Sequence, residues 1–182
     1  MTLAPTTKEA MLGAIPGLRA FAISLSGNVE RADDLVQETL MRALAHADSL
    51  QPDTNMPAQL FTILRNLYRS EYRKRRREVD DTDNRYADSP QLQPEQFGRI
   101  DFGEFRSSLA KLPHDQREAL LLVGASGFSY EEAAAICECA VGTIKSRVNR
   151  ARTRLTELLS LEDGDFGSDQ PTEAVMSATH HH

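Results

Sequence analysis

Residues 129–155 read SYEEAAAICECAVGTIKSRVNRARTRL. The stretch divides into two short helices joined by a tight turn. Ser129 suits an N-cap, and Glu132, three residues on, can reach back to complete a capping box. Ala133, Ala134 and Ile136 are small or apolar, so a second helix can approach closely. The chain breaks at Glu138-Cys139-Ala140 and restarts at Val141-Gly142-Thr143. In the second helix Ile144, Val148, Ala151, Leu155 and Leu158 recur at i, i+4, i+7, i+11 and i+14, one apolar face.

Lys145, Arg147, Arg150, Arg152 and Arg154 give this second helix about five positive charges, with no acid between Cys139 and Glu157. A helix that enters a major groove needs a small-residue N-terminus to approach base edges and a basic flank to meet phosphate. Gly142 and Thr143 leave room there. Lys145, Ser146, Asn149 and Arg150 can donate or accept at base edges or phosphates. A solvated basic helix packed by its apolar face would show the same charges. The capped partner helix and short turn favour a helix-turn-helix.

The chain has 182 residues, enough for one large or two small domains. Apolar residues make up 40% and Trp is absent, so the cores should be aliphatic. No alternating run of β-branched residues signals a strand, which points to an all-α protein. The net charge of −6 is an average over segregated blocks. Arg65 to Arg77 holds seven basic residues against Glu71, Glu78 to Glu104 holds eight acids against Arg85 and Arg99, and Glu157 to Glu173 holds six acids and no base. Binding follows the local blocks, since salt screens charge beyond about 8–10 Å.

Cys137 and Cys139 are too close for an unstrained disulfide and lack partners for a zinc site, so both should pack as small apolar residues. Neither a nucleophile–base pair, a carboxylate dyad nor a metal cluster stands out, so no catalysis, metal or cofactor is expected. No apolar run approaches the length of a membrane span and the N-terminus is no signal peptide, which suggests a cytoplasmic protein without membrane contact. His180, His181 and His182 read as a tag remnant.

From the N-terminus, Met11, Ile15, Leu18, Ala22 and Leu25 form an apolar stripe, with the continuous helix expected to begin near Pro16. Asn28 can cap a second helix, about 29–47, that buries Ala32, Leu35, Val36, Leu40, Ala43 and Leu44. Its other face carries Asp34, Gln37, Glu38, Met41 and Arg42, either solvated or a docking surface with Met41 as apolar contact. Residues 48–56 form turns. A third helix, from Pro57 to about Arg77, turns Leu60, Ile63, Leu64 and Leu67 inward. Arg65, Arg69 and Arg73 stand at i, i+4 and i+8, with Asn66 beside the first two, a row suited to a phosphate track. Tyr68 and Tyr72 interleave, and aromatics can stack on unpaired bases. Residues 78–103 read as a flexible acidic linker. Phe105, Leu109 and Leu112 begin a second helical unit.

These residues resemble the extracytoplasmic-function group of bacterial RNA polymerase sigma factors, over about residues 8–160. ADDLVQETLMRAL at 32–44 looks like region 2.2, QLFTILRNLYRSEYRKRRREVDD at 59–81 like regions 2.3 and 2.4, and LPHDQREALLL at 112–122 with SYEEAAAICECAVGTIKSRVNRAR at 129–152 like region 4. FTILRN, SEYRKRRREV and GASGFSYEEAA look like the EcfG-type members of the alphaproteobacterial general stress response. Gln59 stands where relatives usually have Trp, and Ala140 where they often have Pro or Ser.

The resemblance implies two small helical domains, 8–77 (region 2) and 104–161 (region 4), joined by the linker 78–103 and followed by an acidic tail, 162–182. It implies docking on the β′ clamp helices of core RNA polymerase through Asp34, Gln37, Glu38 and Met41. It further implies that Leu50, Arg65, Asn66, Arg69 and Arg73 serve the −10 element of promoter DNA, where a base is flipped. Gly142, Thr143, Lys145, Ser146, Asn149 and Arg150 would serve the −35 element. A GGAAC-like −35, a GTT-like −10 and a NepR-type anti-sigma factor seated between the domains are expected. The runner-up is a sigma-mimic module that binds the anti-sigma factor without DNA. A simple helix-turn-helix repressor or activator would not explain residues 29–77.

Overall fold

In the computed structural model, which describes residues 5–47, 55–81 and 100–163, every regular element among those residues is helical. The elements are α1 (Pro5–Ser26), α2 (Val29–Ala45), α3 (Met56–Asp81), α4 (Ile100–Ala110), α5 (His114–Leu120), α6 (Tyr130–Cys137) and α7 (Val141–Asp163). A π-helical turn, Leu121–Ala125, continues α5.

The helix starts follow local side-chain chemistry. Asn28, in extended backbone, accepts from the Arg31 N–H at 2.9 Å and so satisfies one of the free donors of α2. The capping box of α6 is complete: the Glu132 N–H donates to Ser129 Oγ at 3.1 Å and the Ser129 N–H to Glu132 Oε2 at 2.8 Å. By contrast α7 starts on backbone alone, with Thr143 and Ile144 N–H donating to the Ala140 carbonyl at 3.0 and 3.2 Å.

Three boundaries differ from the sequence expectation. α1 runs through Pro16 rather than starting there. The carbonyl that Pro16 cannot bond belongs to Leu12, and both residues are exposed, so water replaces the lost donor while Met11 upstream stays buried. α3 continues past Arg77 to Asp81, and α4 takes in residues 100–103, so both ends of the expected linker are helical. Residues 82–99 lie outside the described residues, as do the turns at 48–54 and most of the acidic tail.

α1, α2 and α3 pack as one unit around Leu18, Ala22, Ala32, Leu60 and Leu64, all fully buried. α5, α6 and α7 pack as another around Leu122, Ala133, Ile144, Val148 and Ala151. The two units meet, with α3 lying against α6. Phe61 of α3 sits 5.2 Å from Phe21 and 4.9 Å from Phe128, edge to face with the latter. Burial of such rings stabilises by about 1.5–3 kcal/mol each. The π turn delivers Phe128: the Ser126 N–H donates to the Leu121 carbonyl at 2.9 Å, and Gly127 takes φ 75°. At the far end Arg117 ties three segments, donating to the carbonyls of Ala110 (2.8 Å), Leu112 (3.0 Å) and Ser24 (3.4 Å).

The turn of the helix-turn-helix is a Schellman motif. The Glu138 N–H donates to the Ala135 carbonyl at 3.3 Å and the Cys139 N–H to the Ala134 carbonyl at 3.1 Å. Glu138 therefore adopts the left-handed conformation, φ 53°, unique among the described non-glycine residues. That conformation costs roughly 1 kcal/mol for a residue with a Cβ. Glu138→Gly should raise the unfolding free energy by about 0.5–1 kcal/mol in denaturant titration; a loss of stability would show that the Glu138 side chain matters more than its backbone.

Candidate nucleic-acid interface

On α7 the expected residues come together. Ile144, Val148 and Ala151 turn fully inward, which forces the opposite face outward. Gly142, Lys145, Asn149 and Arg150 are exposed, and Thr143 and Ser146 half-buried beside them. Arg150 and Gln116 line two adjoining open grooves between α7 and the start of α5. Lys145 is held 5.7 Å over the Tyr130 ring, which steadies its ammonium group on the outer face. Arg147 is turned aside: it pairs with Asp115 at 3.6 Å and donates toward Cys139 Sγ at 3.9 Å.

The arginine row of α3 does not stay together. At about 100° per residue, steps of four drift by some 40°, so an i, i+4, i+8 row spirals round the helix. Three faces result. Leu60, Leu64 and Leu67 turn onto α1 and α2; Phe61, Arg65, Tyr68 and Tyr72 turn toward the second unit; Asn66, Arg69 and Arg73 turn outward. Asn66 and Arg73 are exposed and Arg69 is half-buried, whereas Arg65 is only 2% exposed. This corrects the expectation of one solvent-facing row: Arg65 lies inside the junction. Leu50 falls outside the described residues.

Inside the junction Arg65 Nε donates to Glu118 Oε1 at 2.5 Å, and Glu118 is fully buried. Arg65 Nη1 reaches the Ile136 carbonyl at 3.4 Å. Burial disfavours the guanidinium charge, but Glu118 outweighs it and the Arg65 pKa rises. One turn along each helix, the His114 ring stacks on Tyr68 at 5.3 Å, within 3° of parallel, and Tyr72 lies beyond. Burial pushes the Tyr68 hydroxyl up and His114 down from their usual pKa values. At the start of α3, Asn55 Nδ2 donates to Glu132 Oε1 at 2.9 Å while Asn55 Oδ1 accepts from the Ala58 N–H. Donor atoms of His114, Asp115 and Glu118 lie within 4.8 Å of one another. Arg65 already holds Glu118, and Arg69 and Arg117 raise the local positive potential, so this is poor ground for a cation. Cys137 is buried with its thiol pushed up to about 12, chiefly by desolvation, and so is inert.

On α2 the proposed docking residues form a free face. Asp34 and Gln37 are exposed, Met41 is 58% exposed, and Glu38 accepts from Arg42 Nε at 2.7 Å. Leu35 is core. Leu44, expected inside, is 44% exposed, because it stands about 100° round the helix from Ala43, which takes the buried position of that turn. Gln37, Met41 and Leu44 thus form one stripe at i, i+4 and i+7, a spacing visible in the sequence once Leu44 is read as outward. Glu118, by contrast, carries no sequence signal: it reads as an ordinary surface acid on an amphipathic helix.

Residues 11–65 match the family described as the Sigma2 domain of PhyR, and residues 102–155 match sigma-70 region 4. Over 177 residues the chain is 64% identical to "ECF RNA polymerase sigma factor EcfG" of Rhodopseudomonas palustris (strain TIE-1), covering 97% of this chain and 98% of that one. The chain belongs to the extracytoplasmic-function family of RNA polymerase sigma factors. Among solved structures, this sigma factor is similar to RpoE of Bartonella quintana in its complex with the anti-sigma factor NepR. The TM-score is 0.78 and the identity 54%, over 87% of this chain and 99% of that one. It is also similar to CnrH in complex with the cytosolic domain of CnrY, with TM-score 0.63 and 27% identity over 86% and 88%. α1–α3 are thus region 2 of the sigma factor and α4–α7 its region 4.

The His114 stack makes the sigma factor's stability pH-dependent. Unfolded, His114 takes up a proton near pH 6.5; folded, its pKa lies below that, because burial, aided by Arg117 and Arg69, outweighs Glu118 and Asp115. Below about pH 6.5 the unfolded state therefore binds more protons, and stability falls as pH falls. Thermal unfolding at about pH 7 and pH 5.5 should show a smaller loss for His114→Phe than for the unsubstituted protein; equal losses would rule out His114 as the titrating group.

Proposed function

We propose that this sigma factor binds core RNA polymerase through the Gln37, Met41 and Leu44 stripe of α2, with Asp34 and Glu38 at its margin. It directs initiation at promoters with a GGAAC-like −35 and a GTT-like −10, in the general stress response, and works in the cytoplasm. Among the described residues no helix is long and apolar enough to cross a membrane. The observation that carries the reading is the outer face of α7. Six residues that can meet a duplex lie together there, unobstructed, over a fully buried apolar side. Lys145, Ser146, Asn149 and Arg150 read bases, and Gly142 and Thr143 approach phosphate. Asn66, Arg69 and Arg73, joined by Arg65 and Leu50, serve the −10 strand. A small helical anti-sigma factor resembling NepR holds the protein inactive, a reading supported by the complex in which the Bartonella quintana relative was solved.

A second reading, a sigma mimic that binds only the anti-sigma factor, draws on the match of residues 11–65 to the Sigma2 domain of PhyR. The full-length likeness to a sigma factor and the open basic face of α7 favour the first. Reconstitution with core polymerase on a GGAAC/GTT template separates the two. Promoter-specific transcripts are expected, and their absence alongside tight anti-sigma binding would establish the mimic.

The two DNA elements should separate by mutation. Arg150→Ala should weaken duplex −35 binding by about 1–3 kcal/mol, if its base contact is bidentate, and spare melting. Asn66→Ala should impair opening, read by permanganate at −10 thymines, and spare −35 binding. The reverse pattern would mean that the elements are assigned to the wrong helices.

A further inference from the structure

Where the end of α1 passes α4 and α5, the two regions enclose a pocket. Region 2 contributes Ile23, Ser24 and Gly27 to it, and region 4 contributes Arg106, Leu109 and Arg117. Its volume is about 30 Å³, room for about two oxygen atoms. Both of its charged residues are arginines, and among the described residues neither has a carboxylate partner. Arg65, the other arginine held between the regions, has Glu118. Arg117 spends its Nη donors on the carbonyls of Ser24, Ala110 and Leu112, and its buried Nε–H has no acceptor among the described residues. Carbonyl dipoles do not cancel a full charge. Burial therefore lowers the Arg117 pKa, with only Tyr68 acting against it.

We propose that this pocket binds the phosphoryl group of a small anion, either free phosphate or the terminal phosphate of a nucleotide, and that the bound anion ties region 2 to region 4. A dianion balances two guanidinium charges, which a single carboxylate would only half balance. The planar fork of arginine meets phosphate oxygens two at a time. Three carbonyls already fix Arg117, so its placement costs little further entropy on binding. Arg106 is exposed at the rim and free to fold over the oxygens that stay outside. Ile23 and Leu109 keep part of the wall apolar, which strengthens the attraction between the charges. Because the walls come from both regions, anion binding and the packing of one region on the other favour each other.

The test uses the full-length protein at about pH 7.5, where phosphate is largely dianionic, with sodium chloride holding the ionic strength constant. Inorganic phosphate should raise Tm along a saturating curve, by several degrees at the plateau. In an NMR spectrum of the arginine side chains, the Arg117 Nε–H signal should shift over the same concentrations. Arg106→Gln should match the unsubstituted protein in chloride, because the side chain it replaces is exposed, and should lose most of the rise and of the shift. An equal response to ADP would identify the end of a nucleotide as a ligand, and a response to phosphate alone the free ion. Glu118→Gln, which weakens the other tie between the regions, should have a smaller radius of gyration with phosphate than without; equal radii would overturn the link between the regions. A rise that climbs without saturating and is the same in Arg106→Gln is the general effect of an excluded salt. That result, or no rise, together with an unmoved Arg117 signal would overturn the site. If Arg106→Gln fails to fold, the NMR titration of the unsubstituted protein decides alone.

Discussion

Arg65 and Glu118 face each other across the junction of two helical regions, both removed from water. Moving either charge alone into such a site costs several kcal/mol, and their attraction offsets that cost only because each supplies the other's partner. A pair of this kind adds little net stability over well-packed apolar side chains, but losing one member costs about 3–5 kcal/mol. Its consequence is selectivity between arrangements. Phe61 against Phe128 would tolerate some sliding, whereas a guanidinium that must find one carboxylate and the Ile136 carbonyl does not. The Tyr68–His114 stack and the Asn55–Glu132 hydrogen bond extend the same registration along α3.

α3 consequently serves three neighbours at once: its own region's core, region 4, and solvent. The rotation of 100° per residue distributes its side chains among them, and the arginine row is split as a result. The surfaces proposed for polymerase and for duplex DNA are on other helices, α2 and α7, where Gln37, Met41, Lys145, Asn149 and Arg150 are exposed.

Much of this was legible in the sequence because it is local. The capping box at Ser129, the cap at Asn28, the apolar period of α7 and, except for Arg147, its outward basic face depend on residues within a turn or two of one another, and these appear as read. What was not legible depends on contacts distant in the chain. Pro16 looked like a helix start because spacing does not say that Leu12 and Pro16 are both exposed. Leu44 looked like core because it borders the apolar stripe of α2, and spacing alone does not say how wide a stripe the neighbouring helices cover. Arg65 looked like Arg69 and Arg73, being of the same type at the same interval. Only Glu118, 53 residues on, distinguishes it.

The account stands on the two regions being held through that pair, and a double-mutant cycle measures this directly. Arg65→Met, Glu118→Leu and the double variant would be compared by equilibrium denaturation. Each single substitution leaves a buried charge alone and should be costly, while the double variant should recover much of the loss, giving a coupling energy of about 2 kcal/mol or more. Additive effects, with a coupling near zero, would mean that the two side chains do not meet in solution and that the regions are not joined in this way.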